Sequence, residues 1–532
     1  MSNLSNLSHS EKQNMGIRLL KKGQKGIIHA MFSRLGLIIL LLVIQGLALF
    51  GVFIWFSQFL PHIIGGVALY SIIMVLYILN SRMDPTAKIT WLVIMMILPV
   101  FGAMLFWFTK SEIGHIATKK RVEQVIEETK DELSQNQDIL EKMKQDNPGA
   151  ASLATYLNRS RCHPIYDQTE VEYFPLGENK WVEMLKQLEQ AKEFIFLEYF
   201  IVDEGLMWGT VLDVLARKAK EGVEIRMLYD GTCEFSLLPH NYPKKLAELG
   251  IHCKVFAPFT PFVSTHYNYR DHRKIMVIDG KVAFTGGINL ADEYINTREL
   301  HGHWKDTAIM LKGEAVKSFT LMFLQMWSLD EKTLDFDRFL NAPAPSNPNT
   351  SGYVIPYGDC PLDEDRVGEM VYMDILNRAT DYVHIMSPYL ILDGEMETAL
   401  KFAAERGVDV KLILPGIPDK HSPYALARTH YASLLDSGVK IYEYTPGFVH
   451  AKVFVSDDRE GVVGTINLDY RSLYHHFECA SWMYDTPVLQ TIEKDFQETL
   501  ANCRVVTYDT IKSQKWYEKL LGIVLKVVAP LM

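Results

Sequence analysis

The chain has 532 residues, 48% of them hydrophobic, which is enough to bury the cores of more than one domain. Its net charge of −10 is unevenly distributed: residues 1–121 carry 12 Lys and Arg against 3 Asp and Glu, and the remainder carries 42 against 61. A soluble part at −19 argues against nucleic acid as a partner, because nucleic-acid phosphates favour a basic surface. A basic end beside apolar sequence suits anionic lipid headgroups.

Three apolar runs, residues 35–56, 59–79 and 89–108, follow a basic tail over residues 1–34. Each run is about 20 residues long, the length that crosses a hydrocarbon core of roughly 30 Å. The sequence therefore predicts a transmembrane region over residues 35–110, with about three apolar helices, in a multi-pass cell-membrane protein.

The side of the membrane on which the rest of the chain lies stays open. Six Lys and Arg precede the first run and place the N-terminus in the cytoplasm. Three full spans would then put the remainder outside, yet Lys119, Lys120 and Arg121 follow the third run. Six scattered cysteines without metal-ligand spacing also suit a reducing compartment. Either two or three runs span, and one run is re-entrant or interfacial in the first case.

A repeat organises the rest of the chain into two related halves. Charged sequence over residues 111–160 predicts a connecting helix, which ends near Asn147-Pro148-Gly149. Residues 193–231 and 381–416 then each read as an apolar strand, an amphipathic helix and a second apolar strand. This alternation predicts an α/β fold with a largely parallel sheet in each half.

The predicted halves cover residues 161–340 and 353–514, with a Pro/Ser/Asn-rich linker over 341–352. An apolar segment over residues 515–532 closes the chain. Two interpretations of it stay equal: a helix in the membrane interface, or a helix packed on the core.

Each half contains one copy of a template. Residues 272–289 read HRKIMVIDGKVAFTGGIN and residues 450–467 read HAKVFVSDDREGVVGTIN. Both fit His-x-Lys-x4-Asp-x6-Gly-x2-Asn, and the two copies supply the candidate catalytic residues His272, Lys274, Asp279, His450, Lys452 and Asp457. Two extended matches make a chance origin negligible. Asp279 and Asp457 fall at predicted hairpin turns, where Asp is also common for local reasons.

Two such sets can perform a transfer that one set cannot. A neutral imidazole can attack phosphorus, while Lys and the amides of Asn289 and Asn467 can hold phosphate oxygens. A single set lacks an acid for the leaving alkoxide, and a second histidine of opposite protonation state supplies it. The sequence therefore predicts that the two halves face each other across a pseudo-twofold axis, around one phosphate.

Each imidazole needs a partner that orients its ring. Asp306 lies 34 residues after His272, and Glu478 lies 28 residues after His450, both in strand-like sequence. We expect these two carboxylates to orient the histidine that precedes each of them.

The duplicated template resembles the signature of the phospholipase D superfamily. Within it the chain is similar to bacterial cardiolipin synthases of the long, membrane-anchored type, from the second or third apolar run to the C-terminus. LEYFIVD (197–203), SPYLILDGEM (387–396), GFVHAKV (447–453) and NLDYRS (467–472) also carry this resemblance.

The resemblance implies transfer of a phosphatidyl group between two phosphatidylglycerols, without metal or other cofactor. It implies that His272 is the nucleophile that forms a phosphohistidine, that His450 is acid and later base, and that Lys274, Lys452, Asn289 and Asn467 hold the phosphate. Where many members have Ser after the first Gly of Gly-x-x-Asn, this chain has Gly287 and Thr465. Thr465 is therefore a candidate for substrate binding, and Gly287 offers no hydroxyl.

Three alternatives remain from sequence: a hydrolase that uses water as acceptor, a phosphatidyltransferase that uses a CDP-activated lipid, and a non-catalytic membrane scaffold. Motifs do not separate water from a lipid alcohol, because both attack the same intermediate. The oligomeric state is not predicted.

Overall fold

The computed structural model of the protein describes residues 66–110, 116–258, 269–331, 335–343, 349–363 and 365–531, together with 345, 347 and isolated positions between 43 and 58. The predicted basic tail, more than half of the first apolar run and the beginning of the second lie outside the described residues.

The helices are, in chain order, α1 Gly66–Asn80, α2 Pro85–Ile97, α3 Pro99–Lys110, α4 Ile116–Thr129, α5 Gln137–Asp146, α6 Pro148–Arg161, α7 Gly177–Glu189, α8 Leu206–Lys220, α9 Cys233–Ser236, α10 Tyr242–Ala247, α11 Val316–Trp327, α12 Asp337–Leu340, α13 Val367–Arg378, α14 Gly394–Glu405, α15 His421–Asp436, α16 Val488–Leu500, α17 Tyr508–Lys512 and α18 Trp516–Val528.

The strands are β1 Glu170–Phe174, β2 Phe194–Tyr199, β3 Glu224–Asp230, β4 His252–Phe256, β5 Arg270–Asp271, β6 Lys274–Ile278, β7 Val282–Gly286, β8 His303–Lys305, β9 Ala308–Lys312, β10 Tyr353–Asp359, β11 Tyr382–Met386, β12 Asp409–Pro415, β13 Lys440–Tyr444, β14 Gly447–Val449, β15 Val453–Ser456, β16 Glu460–Gly464, β17 His476–Tyr484 and β18 Cys503–Val505.

Two sheets repeat one strand order. The first runs β1-β9-β7-β6-β2-β3-β4, and the second runs β10-β17-β16-β15-β11-β12-β13, with β18 added at its edge. Each strand of the first sheet therefore has a counterpart in the second, and the prediction of two related α/β halves is confirmed. The prediction of largely parallel sheets is wrong. Among the described residues, the neighbouring strands along these two strand orders are parallel in β2-β3-β4 and β11-β12-β13 and antiparallel elsewhere, since each template forms an antiparallel hairpin, β6–β7 or β15–β16.

The two sheets face each other across a shared core that contains α11 and α16. Apolar side chains of both helices pack there with the inner faces of the sheets, including Phe196 and Ile275 on one side and Val453 and Val455 on the other. Separate clusters cover the outer face of each sheet, with α7 and α8 on the first and α13, α14 and α15 on the second. This layering buries the template strands on both faces, as their continuous apolar sequence requires.

The predicted connecting helix is instead three helices, α4, α5 and α6. Asn147 ends α5 and also begins α6, because its side chain accepts a hydrogen bond from the backbone N–H of Ala150. Pro148 therefore starts a helix, where its missing N–H costs nothing, rather than stopping one.

The third apolar run, predicted as a span, folds as two antiparallel helices. α2 ends at Ile97, Leu98 leaves the helical conformation with φ −132° and ψ 75°, and α3 begins at Pro99. The residue before a proline disfavours helical geometry, which explains the position of the break. Among the described residues, no helix combines the length and the apolar character that crossing a bilayer requires.

The C-terminal helix α18 packs on the core with one face and exposes apolar side chains on another. It therefore agrees in part with both interpretations of the sequence, a helix packed on the core and a helix in the membrane interface. It packs along α15, with Gly522 against the backbone of Ala425. Its opposite face leaves Trp516, Ile523 and Val524 more than half exposed.

Candidate active site

Two short strand pairs cross from one half to the other. β5 ends just before His272. It pairs in parallel with His476 and Phe477, the first two residues of β17, which lie just before Glu478. β14, which precedes His450, pairs in parallel with β8, which precedes Asp306. The N–H of His272 donates to the carbonyl of Phe477 at 2.9 Å, and the N–H of His450 donates to that of Lys305 at 2.7 Å. The pseudo-twofold relation therefore extends to the histidines themselves.

Each predicted histidine meets a carboxylate of the opposite half. Nδ1 of His272 lies 2.8 and 3.0 Å from the two carboxylate oxygens of Glu478, and Nδ1 of His450 lies 2.6 Å from Oδ2 of Asp306. Both carboxylates are fully buried. The prediction that each carboxylate orients the preceding histidine is wrong, because the strand pairs deliver it across the interface. With Nδ1 occupied, Nε2 of each ring is the nitrogen left for a substrate.

The two template lysines are buried beside the histidines. Nζ of Lys274 donates to the carbonyl of His272 at 2.5 Å, and Nζ of Lys452 donates to the carbonyl of His450 and lies 2.9 Å from its Nδ1. His and Lys two apart on an extended strand point to one face, as the sequence predicted. Besides desolvation, the charges of Lys274, Lys452 and His450 all lower the pKa of His272, so the four buried residues lie close together.

Burial sets the protonation of this group. Desolvation, followed by the charges of Lys274 and Lys452, holds the pKa of His272 well below its ordinary value. Desolvation, then Lys452, lowers the pKa of His450 to about 4, against the opposing effect of Asp306. Desolvation also lowers the pKa of Lys274 to about 8 and that of Lys452 to about 7. Both imidazoles are thus neutral near pH 7, and both lysines lose protons more easily than ordinary lysines.

The two template asparagines differ in their contacts. Oδ1 of Asn289 accepts from the N–H of Ile201 at 2.9 Å, and its amide donates to the hydroxyl of Tyr294 at 2.7 Å. Asn467 is also buried, and its Oδ1 has no hydrogen-bond partner among the described residues. Asn289 is therefore largely engaged within the protein.

Thr465 was predicted to bind substrate, but its hydroxyl donates to Glu478 instead, in a short hydrogen bond. The counterpart Gly287 has no side chain, and a Cβ there would lie 2.1 Å from Oδ1 of Asp306. The absence of a side chain at Gly287 lets the Asp306 carboxylate approach the backbone there. At the corresponding position of the other half, the Thr465 side chain is accommodated and hydrogen-bonds to Glu478. The two carboxylates are therefore supported differently, although they are related by the pseudo-twofold.

Asp279 and Asp457 lie away from the site, so their predicted direct role in catalysis is wrong. Asp279 follows β6, about 17 Å along the strand from Lys274 at the usual rise per residue. Its carboxylate accepts from the N–H groups of Lys192, Glu193 and Phe194 at 2.9, 2.8 and 3.0 Å. Asp457 accepts in the same way from Thr380, Asp381 and Tyr382. Both are left-handed turn residues that anchor the beginning of the central strand.

One further histidine belongs to this site, and the template did not reveal it. The His476 ring lies 5.3 Å from that of His272, and its Nδ1 is 3.7 Å from Glu478. Only its place two residues before Glu478 on a strand signals that both side chains share a face. His272, His476 and Glu478 place ligand atoms close enough for a metal ion. The neighbouring lysines oppose a cation there.

The chain matches the family described as "Cardiolipin synthase, PLD-like domain" over residues 184–327 and 372–500. It matches "Phospholipase_D-nuclease N-terminal" over residues 67–110. A cardiolipin synthase from Halalkalibacterium halodurans is 30% identical over 511 residues, which cover 94% of this chain and 100% of that protein. Cardiolipin synthase 2 from Bacillus anthracis is 32% identical over 454 residues, covering 84% and 87%.

The crystal structure of a phosphatidylserine synthase from Haemophilus influenzae aligns with a TM-score of 0.54 at 15% identity. It covers 72% of this chain and 98% of that chain, and the likeness shows the fold alone.

The duplicated fold and the paired histidine–carboxylate contacts define a phospholipase D-like protein. The chain belongs to the cardiolipin synthase family of this superfamily, so the family and the enzyme class predicted from the sequence are confirmed.

We expect Asp279→Asn and Asp457→Asn to weaken folding without removing catalysis. Each loses charge-assisted hydrogen bonds to strand N–H groups, so each should lower the free energy of unfolding by about 1–2 kcal/mol. Urea denaturation measures this change, and initial rates per folded enzyme measure catalysis. A rate loss of about a thousandfold with unchanged stability would restore a direct role.

We expect Thr465→Val to lower kcat about tenfold while KM stays constant, because Glu478 loses a hydrogen bond of about 1.4 kcal/mol. Thr465→Ser keeps the hydroxyl and is the matched control, which should retain most of the rate. A rise in KM at constant kcat would instead indicate direct contact with substrate.

Proposed function

We propose that the protein transfers a phosphatidyl group from one phosphatidylglycerol to another, giving cardiolipin and glycerol through a phosphohistidine. The observation that carries this proposal is the pair of buried imidazoles, each held by a carboxylate of the other half, beside two lysines. The family membership supports the same substrates.

In the first step, Nε2 of His272 attacks the phosphorus of the donor lipid. The bond from phosphorus to the headgroup glycerol oxygen breaks, and protonated His450 gives its proton to that oxygen. Binding of the anionic phosphodiester raises the proton affinity of His450, which is low in the free enzyme. Lys274 and Lys452 hold the phosphate oxygens as charge develops on them.

In the second step, neutral His450 takes the proton from a headgroup hydroxyl of a second phosphatidylglycerol. The hydroxyl oxygen attacks phosphorus, and the bond from phosphorus to Nε2 of His272 breaks. Cardiolipin is released, with His272 free and His450 protonated, as both were when the donor lipid was bound. Glu478 and Asp306 keep each ring oriented by accepting from Nδ1 throughout.

We also propose that the enzyme is a multi-pass protein of the cell membrane that takes its substrates from the bilayer. The three apolar runs of the sequence and the family of the N-terminal region support this proposal.

Product analysis distinguishes this proposal from the alternatives. Purified protein incubated with phosphatidylglycerol labelled in the acyl chain should give cardiolipin, with one glycerol released per cardiolipin. Phosphatidic acid as the main product would indicate a hydrolase, and product only with CDP-diacylglycerol as donor would indicate the nucleotide-dependent transferase. An active His272→Ala variant would favour the scaffold, with a contaminant as the source of activity.

The assignment of the nucleophile has its own test. With a phosphatidyl p-nitrophenol donor, the leaving group needs little protonation, so His450→Ala should release about one equivalent in a burst and then stall. His272→Ala should release none. A burst in His272→Ala and none in His450→Ala would reverse the two roles.

The buried lysines predict an alkaline limit. Each lysine loses its positive charge as the pH rises through its lowered pKa, about 7 for Lys452 and about 8 for Lys274. We therefore expect kcat/KM, which reports the free enzyme, to fall more steeply between pH 7 and about pH 9 than it does below pH 7, where only the protonation of His450 changes. The fall in kcat should begin at higher pH, because bound phosphate keeps the lysines protonated. Initial rates in mixed micelles measure both, and a flat kcat/KM profile would contradict the assignment.

A further inference from the structure

α2 and α3 form a helical hairpin, in which α3 runs back along α2. Ile94 contacts Gly102, where a Cβ would lie 3.1 Å from the Ile94 backbone, and the rings of Trp91 and Phe106 are 5.2 Å apart. In one continuous helix, residues 15 positions apart would be about 22 Å apart. α1 packs beside α3, with the Tyr77 ring stacked on that of Trp107.

The tip of this hairpin is apolar and exposed. Met96 is 76% exposed, Ile97 68% and Leu98 48%, and these three consecutive side chains form the turn. Such a tip is unfavourable in water but suits hydrocarbon. α2 has 13 residues, about 20 Å, which reaches the middle of a core of roughly 30 Å but does not cross it.

The C-terminal helix α18 contacts α2 well below the tip of the hairpin. The Thr90 hydroxyl in α2 donates to the carbonyl of Val527 at 2.7 Å, about two turns below the tip of the hairpin. α18 exposes Trp516, Ile523 and Val524 on the face turned away from α15. A helix with such a face and lysines elsewhere lies in the plane of the interface.

We infer that the third apolar run is a re-entrant hairpin, and that the catalytic part lies on the same side of the membrane as the basic N-terminal tail. The first two runs are long enough to cross, and α1 forms the last part of the second run. Two crossings followed by a hairpin that returns leave the chain on its original side. Lys119, Lys120 and Arg121 then follow the positive-inside rule, and the cysteines occupy a reducing compartment.

The same arrangement sets the active site next to the lipid surface. Tyr470 packs with Ala529 of the C-terminal segment, and Nε2 of His475 lies 3.4 Å from the carbonyl of Pro530. Tyr470 and His475 lie in the chain between Asn467 and Glu478. A phospholipid that moves sideways from the cytoplasmic leaflet therefore has a short path to the histidines.

Labelling of single introduced cysteines with a membrane-impermeant maleimide tests the inference on the full chain. Ser81→Cys lies before the hairpin, Lys120→Cys follows it, Ile97→Cys is at its tip, and Ser8→Cys is in the tail. We expect Ser81→Cys, Lys120→Cys and Ser8→Cys to react in inverted vesicles and not in spheroplasts. Ile97→Cys should react only after detergent is added. Wild type is the matched control, since its six cysteines are buried or half-buried.

Labelling of Ser81→Cys and Lys120→Cys from opposite sides would show that the third run spans, and would overturn the hairpin. Labelling of both from the side opposite to Ser8→Cys would overturn the shared side. The outcome is independent of the proposed function, because cardiolipin formation by each variant in detergent micelles reports catalysis without any membrane sidedness.

Discussion

The active site depends on two short strand pairs that exchange partners between the halves. β5 with β17 and β8 with β14 hold each histidine against a carboxylate that belongs to the other half. Glu478 and Asp306 are completely buried, and a buried charge is costly unless a partner satisfies it. Neither half can therefore form an oriented histidine alone. The shared core around α11 and α16 holds the two halves together, so the active site requires this packing as well as the template residues.

This burial also explains the unusual protonation of the site. Desolvation lowers the pKa of both lysines and both histidines, and the charges of Lys274 and Lys452 lower the pKa of the two histidines further. A phosphodiester that enters the site supplies a negative charge, which favours the protonated forms of these groups. The same group therefore binds the anionic substrate, and on the proposed mechanism it also prepares His450 to accept a proton. A preorganised site of this kind needs no rearrangement at the moment of reaction.

The sequence predicted which residues meet, but not how they are paired. The template located His272, Lys274, His450 and Lys452, and distance along the chain pointed to Asp306 and Glu478. Exchange between halves left no local trace, because strands of two or three residues carry no periodicity. Asp279 is the reverse case. Because it belongs to the template, Asp279 was a candidate for direct catalysis. The Asp279-Gly280 pair is also a hairpin-turn signal, and the turn is where Asp279 lies.

Apolar length alone does not separate a membrane span from a hairpin, because both need a run of about the same length. The local signal was Leu98-Pro99, because a residue before proline avoids helical geometry, and Gly102 then allows α3 to lie close against α2. On the inferred topology, the hairpin stops at the bilayer centre and leaves the active site beside one leaflet. On the proposed function, donor and acceptor lipids both come from that leaflet, so one site can bind them in turn without either lipid crossing the membrane.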